Sequence, residues 1–489
     1  MKQAAAVAFL LFLATGALSA VPVDRGPEAA LQSALVRVEV TRLRPNHSEP
    51  WALGRQGRGS GTGFVLEGGG VLTCAHLVSD ATFVEVRRAG DPRRFPAEVF
   101  HVGHASDLAL LRVADPAFLE GVTPLGLGEL PLPGAPVSVL GFAGKGEQPA
   151  VTAGVVSRLG VTRVAHSLWI LSYLQVDAAV NTGNSGGPVL AGGRVVGVVI
   201  QGDDDAENVS WAVPAPLLRQ FLDDAADGNL DGLPDPGFWV RSFRNPALRR
   251  FLGAEEGEGG SLVTEVGAGG SADGVLQPDD LLLAIDGHDV AADGTVELRP
   301  GERIDFDFLF HRRQVGERVP VVFRRGGERR TGELRLAPAV PLLRVEYDRR
   351  PSYLIVGGLV VHPATYNLAL EMAGREEGWV RRFGGYIEDL QSLEREEILY
   401  VSQVLADPVN ADYEDAADEI LVRANGRELA SLADLAAALR EPLRGFHRLE
   451  FENGFLVVFD ATEEAAARPR ILARHGIPSD RSPDLAAAP

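Results

Sequence analysis

Short apolar segments, separated by glycine and proline, fill residues 33–220 and restrict this part of the chain to a mainly β fold. Examples lie at 34–40, 83–86, 137–140 and 194–200. Many short strands with frequent turn residues predict a barrel or a sandwich. Residues 214–226 then have the apolar spacing of a helix, which would close the unit.

The chain has 489 residues, enough for about three domains at roughly 150 residues each. We predict a signal peptide at 1–20, a β-rich domain at 30–232, two smaller domains at 237–340 and 341–472, and a loose C-terminal tail at 473–489. The two smaller units share an order of strand, small-residue turn and apolar strand ending in Asp-Gly or Asn-Gly. We interpret this order as a diverged internal duplication.

The N-terminus has the pattern of a secretory signal. Lys2 precedes an apolar run from 4 to 18, and the small residues Ser19 and Ala20 follow. The run is short for a membrane span, although a retained anchor is the alternative. We therefore expect an exported protein, periplasmic or secreted, with no stable membrane insertion after cleavage.

Charge and cysteine content exclude several classes of protein. The formal net charge of −20 argues against a nucleic-acid binder, whose surface is basic. The single cysteine, Cys74, cannot form an intrachain disulfide and is expected to be a buried strand residue. The acidic linker from Asp227 resembles half a calcium loop, but Phe238 stands where the bidentate Glu belongs, so we expect no metal and no cofactor.

A serine in a glycine-dense turn, at 183–187, is the main candidate for chemistry. A hydroxyl needs a base beside it and a third group to orient that base. Two upstream segments, 71–76 and 106–111, contain His76 and Asp107. We predict Ser185 as nucleophile, His76 as general base and then acid, and Asp107 as the group that holds the imidazole.

The same turn predicts an oxyanion hole from Gly183 through Asn184 to Ser185, with the amides of Gly183 and Ser185 as donors. The turn also matches Gly-x-Ser-x-Gly, the nucleophile elbow of α/β hydrolases. That elbow requires a helix after the serine, with the acid and histidine later in the chain. Here a β pattern follows, and the order His, Asp, Ser is that of chymotrypsin-type β-barrels.

On the segments 59–66, 71–76, 107–111 and 183–188, residues 57–210 resemble the trypsin-like protease domain of the HtrA/Deg family. The downstream units resemble PDZ domains, and residues 238–485 are similar to plant-type Deg proteases with two PDZ domains. The resemblance implies a trypsin-like double six-stranded β-barrel followed by two PDZ-like domains. It also implies an ATP-independent serine endopeptidase of protein quality control that cleaves misfolded or unfolded proteins as a homotrimer or higher oligomer.

Substrate selectivity is predicted to come from Ala179, six residues before the nucleophile, and from Val199, Ile200, Gln201 and the loop that follows at 202–208. No acidic residue stands at 179 to hold Lys or Arg. We therefore expect small or medium apolar side chains and loose selectivity, because apolar pockets discriminate weakly.

PDZ domains bind peptide C-termini by adding a strand to a sheet edge. In the first unit we predict Gly260, Ser261 and Leu262 as the peptide-binding loop, and in the second the segment 357–360. The alternative is that either groove is degenerate or occupied internally.

A second functional class is a chaperone or peptide-binding holdase whose protease site stays largely in an inactive, resting state. The presence of nucleophile, base and orienting acid together favours the peptidase, because a binding protein has no need of all three. The sequence leaves open the oligomer size, the native substrates and the activating signal.

Overall fold

The computed structural model describes residues 31–486, except positions 145–147, 182, 203–208, 229–230, 256, 374–382, 384–385, 387–388 and 393–394. The predicted signal peptide and most of the loop at 202–208 lie outside the described residues.

Two closed barrels of six strands each form the N-terminal unit, which confirms the mainly β, trypsin-like fold. The first barrel, in the order β1-β2-β3-β6-β5-β4, consists of β1 Leu35–Arg44, β2 Arg55–Val65, β3 Val71–Thr73, β4 Ala81–Arg88, β5 Phe95–Gly103 and β6 Leu108–Val113. The second, in the order β10-β11-β12-β9-β8-β7, consists of β7 Pro136–Gly141, β8 Ala150–Arg163, β9 Ile170–Asp177, β10 Pro188–Ala191, β11 Arg194–Gly202 and β12 Ser210–Pro214. Alternating burial follows the strand period, as in β1, where Val36, Val38 and Val40 point into the core.

This unit also contains α-helices. The short α1, Ala75–Val78, follows β3 directly. Helix α2, Ala215–Asp227, closes the unit as its apolar spacing predicts, with Leu217, Leu218 and Phe221 buried. It ends at Gly228, whose φ of +78° is the left-handed conformation that glycine adopts at helix ends.

The second unit is an antiparallel sheet with short helices. Its strands and helices are β13 Pro234–Asp235, β14 Phe238–Arg241, α3 Pro246–Phe251, β15 Ser261–Val266, β16 Leu281–Ile285, β17 His288–Asp289, β18 Thr295–Arg299, β19 Glu302–Asp305, α4 Asp307–His311, β20 Arg318–Arg325, β21 Glu328–Arg335 and β22 Ala337–Pro338. The sheet has the order β14-β15-β16-β20-β21.

The third unit has the sheet order β23-β24-β25-β26-β28-β29. Its elements are β23 Leu354–Val356, β24 Leu359–Pro363, α5 Tyr366–Ala373, β25 Leu399–Val404, β26 Ile420–Ala424, β27 Arg427–Glu428, α6 Leu432–Ala438, β28 Phe446–Phe451, β29 Leu456–Asp460, α7 Ala461–His475 and α8 Pro483–Ala486. None of the helices in the described part of the chain is long and apolar enough to cross a bilayer.

The same tight hairpin occurs at the same place in both smaller units. Strand β17 pairs with β16 across Asp286-Gly287, and β27 pairs with β26 across Asn425-Gly426. All four turn residues have positive φ, between 51° and 79°. This is the type I′ geometry that Asp-Gly and Asn-Gly favour. The two dipeptides on which the predicted duplication is based therefore form the same turn in both units.

The peptide-binding loop predicted in the second unit is wrong in position. Gly260 lies just before β15, whose first residues are Ser261 and Leu262, and β15 is hydrogen-bonded to β14 on one side and β16 on the other. Ser261 and Leu262 are buried, and the Ser261 hydroxyl donates to the Ala291 carbonyl. An interior strand has no free edge to accept another, so these residues cannot bind a peptide by strand addition.

The predicted loose tail also needs correction, because it packs onto the third unit. The amide of Ile355 donates to the Asp480 carbonyl at 2.7 Å, and that of Ser482 donates to the Tyr353 carbonyl at 3.0 Å. The side chain of Leu485 is buried against the same sheet. These backbone pairs are long-range contacts that composition alone does not reveal.

The units also pack directly on one another. One continuous apolar core joins the first barrel to the second unit. At a buried point of contact the Ser172 hydroxyl of β9 lies 3.0 Å from Nδ1 of His311 in α4. Burial lowers the pKa of His311 to about 3, so its imidazole is neutral at this interface.

Candidate active site

His76 and Asp107 are joined by two hydrogen bonds. His76 lies in α1, and its Nδ1 is 2.7 Å from Oδ2 of Asp107. Its backbone amide donates to Oδ1 of the same carboxylate at 2.8 Å. Asp107 is buried and has a φ of +54°, a left-handed conformation that Asp tolerates better than most residues. The carboxylate therefore orients both the ring and the first turn of the helix.

The electrostatics of this pair suit proton transfer. Burial lowers the pKa of His76, but the charge and hydrogen bond of Asp107 outweigh burial, and the net pKa is raised above 6.5. Burial raises the pKa of Asp107, yet the interactions with His76 reverse this effect and leave it below 3.8. Asp107 is thus ionised at neutral pH and makes the imidazole a stronger base.

The loop of Ser185 is pressed against β2 and against the end of β3, which leads into α1. The Ser185 carbonyl accepts the Thr62 amide at 2.9 Å. At Gly186, with φ +83°, an added Cβ would lie 2.1 Å from the Thr62 carbonyl oxygen and 2.5 Å from Oγ1 of Thr73. Only glycine permits this approach, which brings the serine to the junction between the barrels.

The Ser185 hydroxyl donates to the carbonyl of Ile200 at 3.4 Å. Among the hydrogen bonds of the described residues, none joins this hydroxyl to His76. Catalytic hydrogen bonds are often long or poorly aligned without substrate and tighten in the complex. The structure therefore brings the His76–Asp107 pair together and positions Ser185 in the adjoining loop.

Two amides beside the serine have no hydrogen-bond acceptor among the described residues. Within the described part of the chain, no oxygen accepts a hydrogen bond from the amide of Gly183 or from that of Ser185. The Asn184 amide, in contrast, donates to the Asn181 carbonyl at 3.0 Å. Of the three residues assigned to the oxyanion hole, Asn184 is thus already engaged, while Gly183 and Ser185 have donors available for a negative oxygen.

Thr62, which the sequence analysis missed, holds this turn in place. Its Oγ1 donates to the Gly183 carbonyl at 2.6 Å and accepts the Phe142 amide at 2.9 Å. Fixing the carbonyl of Gly183 also fixes the direction of the neighbouring amides. Thr62 lies within the glycine-rich segment 59–66, whose position beside the serine only the folded barrels reveal.

The variant Gly183→Ala is expected to lower kcat by about 10²–10³-fold, the cost of one lost oxyanion donor. Gly183 has a φ of +104°, and an added Cβ would lie 2.3 Å from the Phe142 carbonyl oxygen, so the turn must move. Steady-state kinetics on a short peptide, beside a thermal melt, would measure this. The control is Gly192→Ala, at φ +57° in open space. A Gly183→Ala protein that folds and keeps wild-type kcat would contradict the assignment.

Cys74 does not compete as a nucleophile. It is buried, its thiol donates to the Val199 carbonyl at 3.2 Å, and burial raises its pKa well above the usual range. Donor atoms of Cys74, His76 and Asp107 lie within 4.8 Å of one another, a spacing that metal ligands also have. However, the thiol stays protonated and the imidazole is bonded to the carboxylate, so the group suits proton transfer better than a metal.

The predicted pocket residues are only partly available to a ligand. Ala179 is exposed. Val199 and Ile200 are buried, with their side chains in the barrel cores, so they can offer only backbone groups to a substrate. The side chain of Gln201 is held by a hydrogen bond, because its Oε1 accepts the Ala165 amide at 3.1 Å. The alternation of β11 explains this placement, because the consecutive side chains of Val199 and Ile200 lie in two different cores.

A cluster of aromatic and imidazole rings beside His76 was not predicted. The ring of His166 lies 6.2 Å from that of His76, and Tyr347 of the third unit stacks on His166 at 4.1 Å. Nδ1 of His104 is 3.0 Å from Nε2 of His166. Burial lowers the pKa of His166 to about 4, so this ring is neutral at pH 7. No motif connects these residues in the sequence, and only tertiary contacts bring them together.

The chain is similar to known proteins along most of its length. A trypsin-like peptidase domain model matches residues 61–198, and a PDZ domain model matches residues 342–484. The chain is 35% identical over 472 residues to the chloroplastic protease Do-like 2 of Arabidopsis thaliana, covering 94% of this chain and 76% of that protein. It is 31% identical over 458 residues to the mitochondrial protease Do-like 4 of the same plant, covering 91% of this chain and 84% of that protein. A solved structure, the HtrA-type protease AlgW with decapeptide, is 21% identical with a TM-score of 0.48, covering 64% of this chain and 97% of that chain.

Proposed function

The chain belongs to the Do-like (Deg/HtrA) family of serine proteases, and from this premise we propose that Ser185, His76 and Asp107 are the catalytic triad of this serine endopeptidase. The hydrogen bond between His76 and the buried Asp107 is the observation that carries the proposal. It leaves Nε2 of the imidazole as the basic nitrogen, on a ring whose pKa is raised.

The reaction follows from these positions. Nε2 of His76 takes the proton of the Ser185 hydroxyl as its oxygen attacks the peptide carbonyl, and Asp107 stabilises the imidazolium that forms. The free amides of Gly183 and Ser185 stabilise the negative oxygen of the tetrahedral intermediate. The imidazolium then protonates the departing amine, and a water molecule repeats the sequence on the acyl-enzyme.

Unfolded and misfolded proteins are the proposed substrates, in a quality-control role. The absence of a charged group at Ala179 supports loose selectivity for apolar side chains, which unfolded chains expose. The triad chemistry needs no nucleotide, so we propose that cleavage is ATP-independent. Family membership supports assembly into homotrimers or larger oligomers, and the N-terminal pattern supports export to the periplasm or the outside of the cell.

Peptide C-termini are proposed to bind at β14 in place of the loop at Gly260. Within the described sheet, β14 is an end strand whose one strand partner is β15, which supports strand addition on its other side. The corresponding strand of the third unit, β24, is covered by β23 of the same chain. This difference supports peptide binding in the first PDZ-like unit and internal occupation of the edge in the second.

The substrate class can be tested with one protein offered in native and in unfolded form. The full chain, without nucleotide, is expected to cleave the reduced and alkylated form at least about ten-fold faster, because native chains are cut through their small open population. ATP should leave both rates unchanged. Gel densitometry over time gives the rates. Equal rates on both forms would contradict a preference for unfolded chains, and a requirement for ATP would contradict the nucleotide-independent mechanism.

A further inference from the structure

A cavity of about 450 Å³ adjoins His76 and is bounded on its other side by the C-terminal PDZ unit. The lining from the first barrel includes Ser60 of β2 with His76 and Leu77 of α1, and the lining from the third unit includes Tyr347, Asn367 and Leu370. Two units that are distant in sequence thus enclose a space next to the proposed general base.

Contacts between the units hold the walls of this cavity in place. The Glu371 carboxylate accepts the backbone amides of His47 and Ser48, both at 2.9 Å. The Tyr347 hydroxyl donates to the His166 carbonyl at 2.8 Å while its ring stacks on the imidazole of His166. Because several hydrogen bonds join the first barrel to the third unit here, the two walls of the cavity are held in fixed positions.

Among the described residues, Leu370 gives the third unit's side of the cavity exposed apolar surface. The side chain of Leu370 in α5 is 59% exposed, whereas its neighbours Leu368 and Ala369 are buried. Tyr347 and Leu77 also line the cavity. Concave apolar surface beside a catalytic group is typical of a binding site for an apolar ligand.

Apart from Arg44, the charged groups of the lining already have protein partners. Arg42 donates to the carbonyls of His76 and Leu77, the Glu371 carboxylate binds two amides, and Oδ1 of Asp80 accepts the Asp348 amide at 2.9 Å. Arg44 lies exposed in the same lining. Because the charged groups other than Arg44 are already hydrogen-bonded within the protein, they do not need an ionic ligand. This favours an apolar occupant of the cavity.

We propose that this cavity is a substrate subsite in which Leu370 contacts a bulky apolar side chain of the unfolded substrate. The proposal rests on the proposed function, since the occupant is the chain being cleaved. A substrate whose scissile carbonyl lies at Ser185 must pass the His76 imidazole, and each residue advances it by at most about 3.6 Å. Because the cavity adjoins His76, the side chain in it belongs to a residue close to the scissile bond, and the C-terminal PDZ unit takes part in choosing the cleavage site.

Cleavage-site profiling of the full chain on a library of unstructured peptides tests this. The wild type should prefer Leu, Phe or Met over Ser at one position near the scissile bond, by about ten-fold in kcat/KM, which is the usual discrimination of an apolar pocket. Leu370→Asp should reduce that ratio to about one and leave the preference at the residue before the bond unchanged. The control is Leu456→Asp, another exposed leucine, in β29 and outside the cavity lining, which should keep the wild-type profile.

A second measurement does not depend on turnover. In the Ser185→Ala background, a fluorescent peptide carrying the preferred apolar residue should bind about ten-fold more weakly after Leu370→Asp, and unchanged after Leu456→Asp. A Leu370→Asp protein with wild-type profile and wild-type binding would overturn the subsite. Cleavage that persists in Ser185→Ala would overturn the proposed function instead, so the two failures can be told apart.

Discussion

The Ser185→Ala variant is expected to lower kcat on an unfolded protein substrate by about six orders of magnitude, because members of a triad act as a unit. The loop around Ser185 should survive the substitution. Its carbonyl bond to Thr62 and the close approach of Gly186 involve only backbone, and the hydroxyl makes a single hydrogen bond of 3.4 Å to Ile200. The loss would then reflect chemistry and leave folding intact.

Turnover of a fluorogenic peptide, together with labelling by a fluorophosphonate probe, measures the effect of Ser185→Ala. Both signals should vanish, while the thermal melting curve stays at the wild-type position. Ser157→Ala, an exposed serine of β8, serves as the control and should retain both. If Ser185→Ala kept cleaving and the activity copurified with it, another nucleophile would have to be found.

Asp107→Asn is expected to lower kcat by about four orders of magnitude, as in other triads that lose the acid. Asparagine also tolerates the left-handed φ of +54° at this position, so the backbone should keep its conformation. The amide can donate to Nδ1 of His76, which places the imidazole proton on Nε2 and prevents that nitrogen from accepting the serine proton. The substitution thus removes the negative charge at position 107 and reverses the tautomer of His76, while a side chain of nearly the same shape remains at position 107.

The pH profile separates this role from a structural one. His76 acts as a base only when neutral, so wild-type kcat/KM should fall as the pH drops through its raised pKa, above 6.5. Without the charge of Asp107, burial lowers the pKa of His76, and the residual activity should persist to lower pH. Asp279→Asn, another exchange at a positive φ of 71°, should keep the wild-type profile. A profile in Asp107→Asn with an unchanged midpoint would contradict electrostatic coupling between the two side chains.

Local chemistry explains which features could be predicted from the residues. The strands alternate in burial as their patterns require, and α2 ends at Gly228 where a left-handed residue is needed. The Asn425-Gly426 turn forms the hairpin that such a pair favours. The chain order of His76, Asp107 and Ser185 is the order known from chymotrypsin-type β-barrels. The structure brings the first two of these residues into direct contact.

Long-range pairing explains the errors. Whether β15 is an edge depends on β14, which pairs with it only after the chain has folded. Ile200 faces a core or a cleft according to the closure of the barrel, and the C-terminal tail is ordered by backbone bonds to residues more than 120 positions away. Each of these outcomes is set by a partner strand that no local pattern identifies.

By itself, the sequence determined the β-barrel class, the hairpin turns and the residue types able to carry peptide hydrolysis, because these follow from side-chain period, backbone preference and intrinsic reactivity. Tertiary structure alone decided which amides stay free near Ser185, which sheet edge remains open and which side chains of the last unit lie beside His76. The physical reason is that hydrogen-bond satisfaction and burial belong to pairs of distant segments, and a pair exists only once both segments have been packed together.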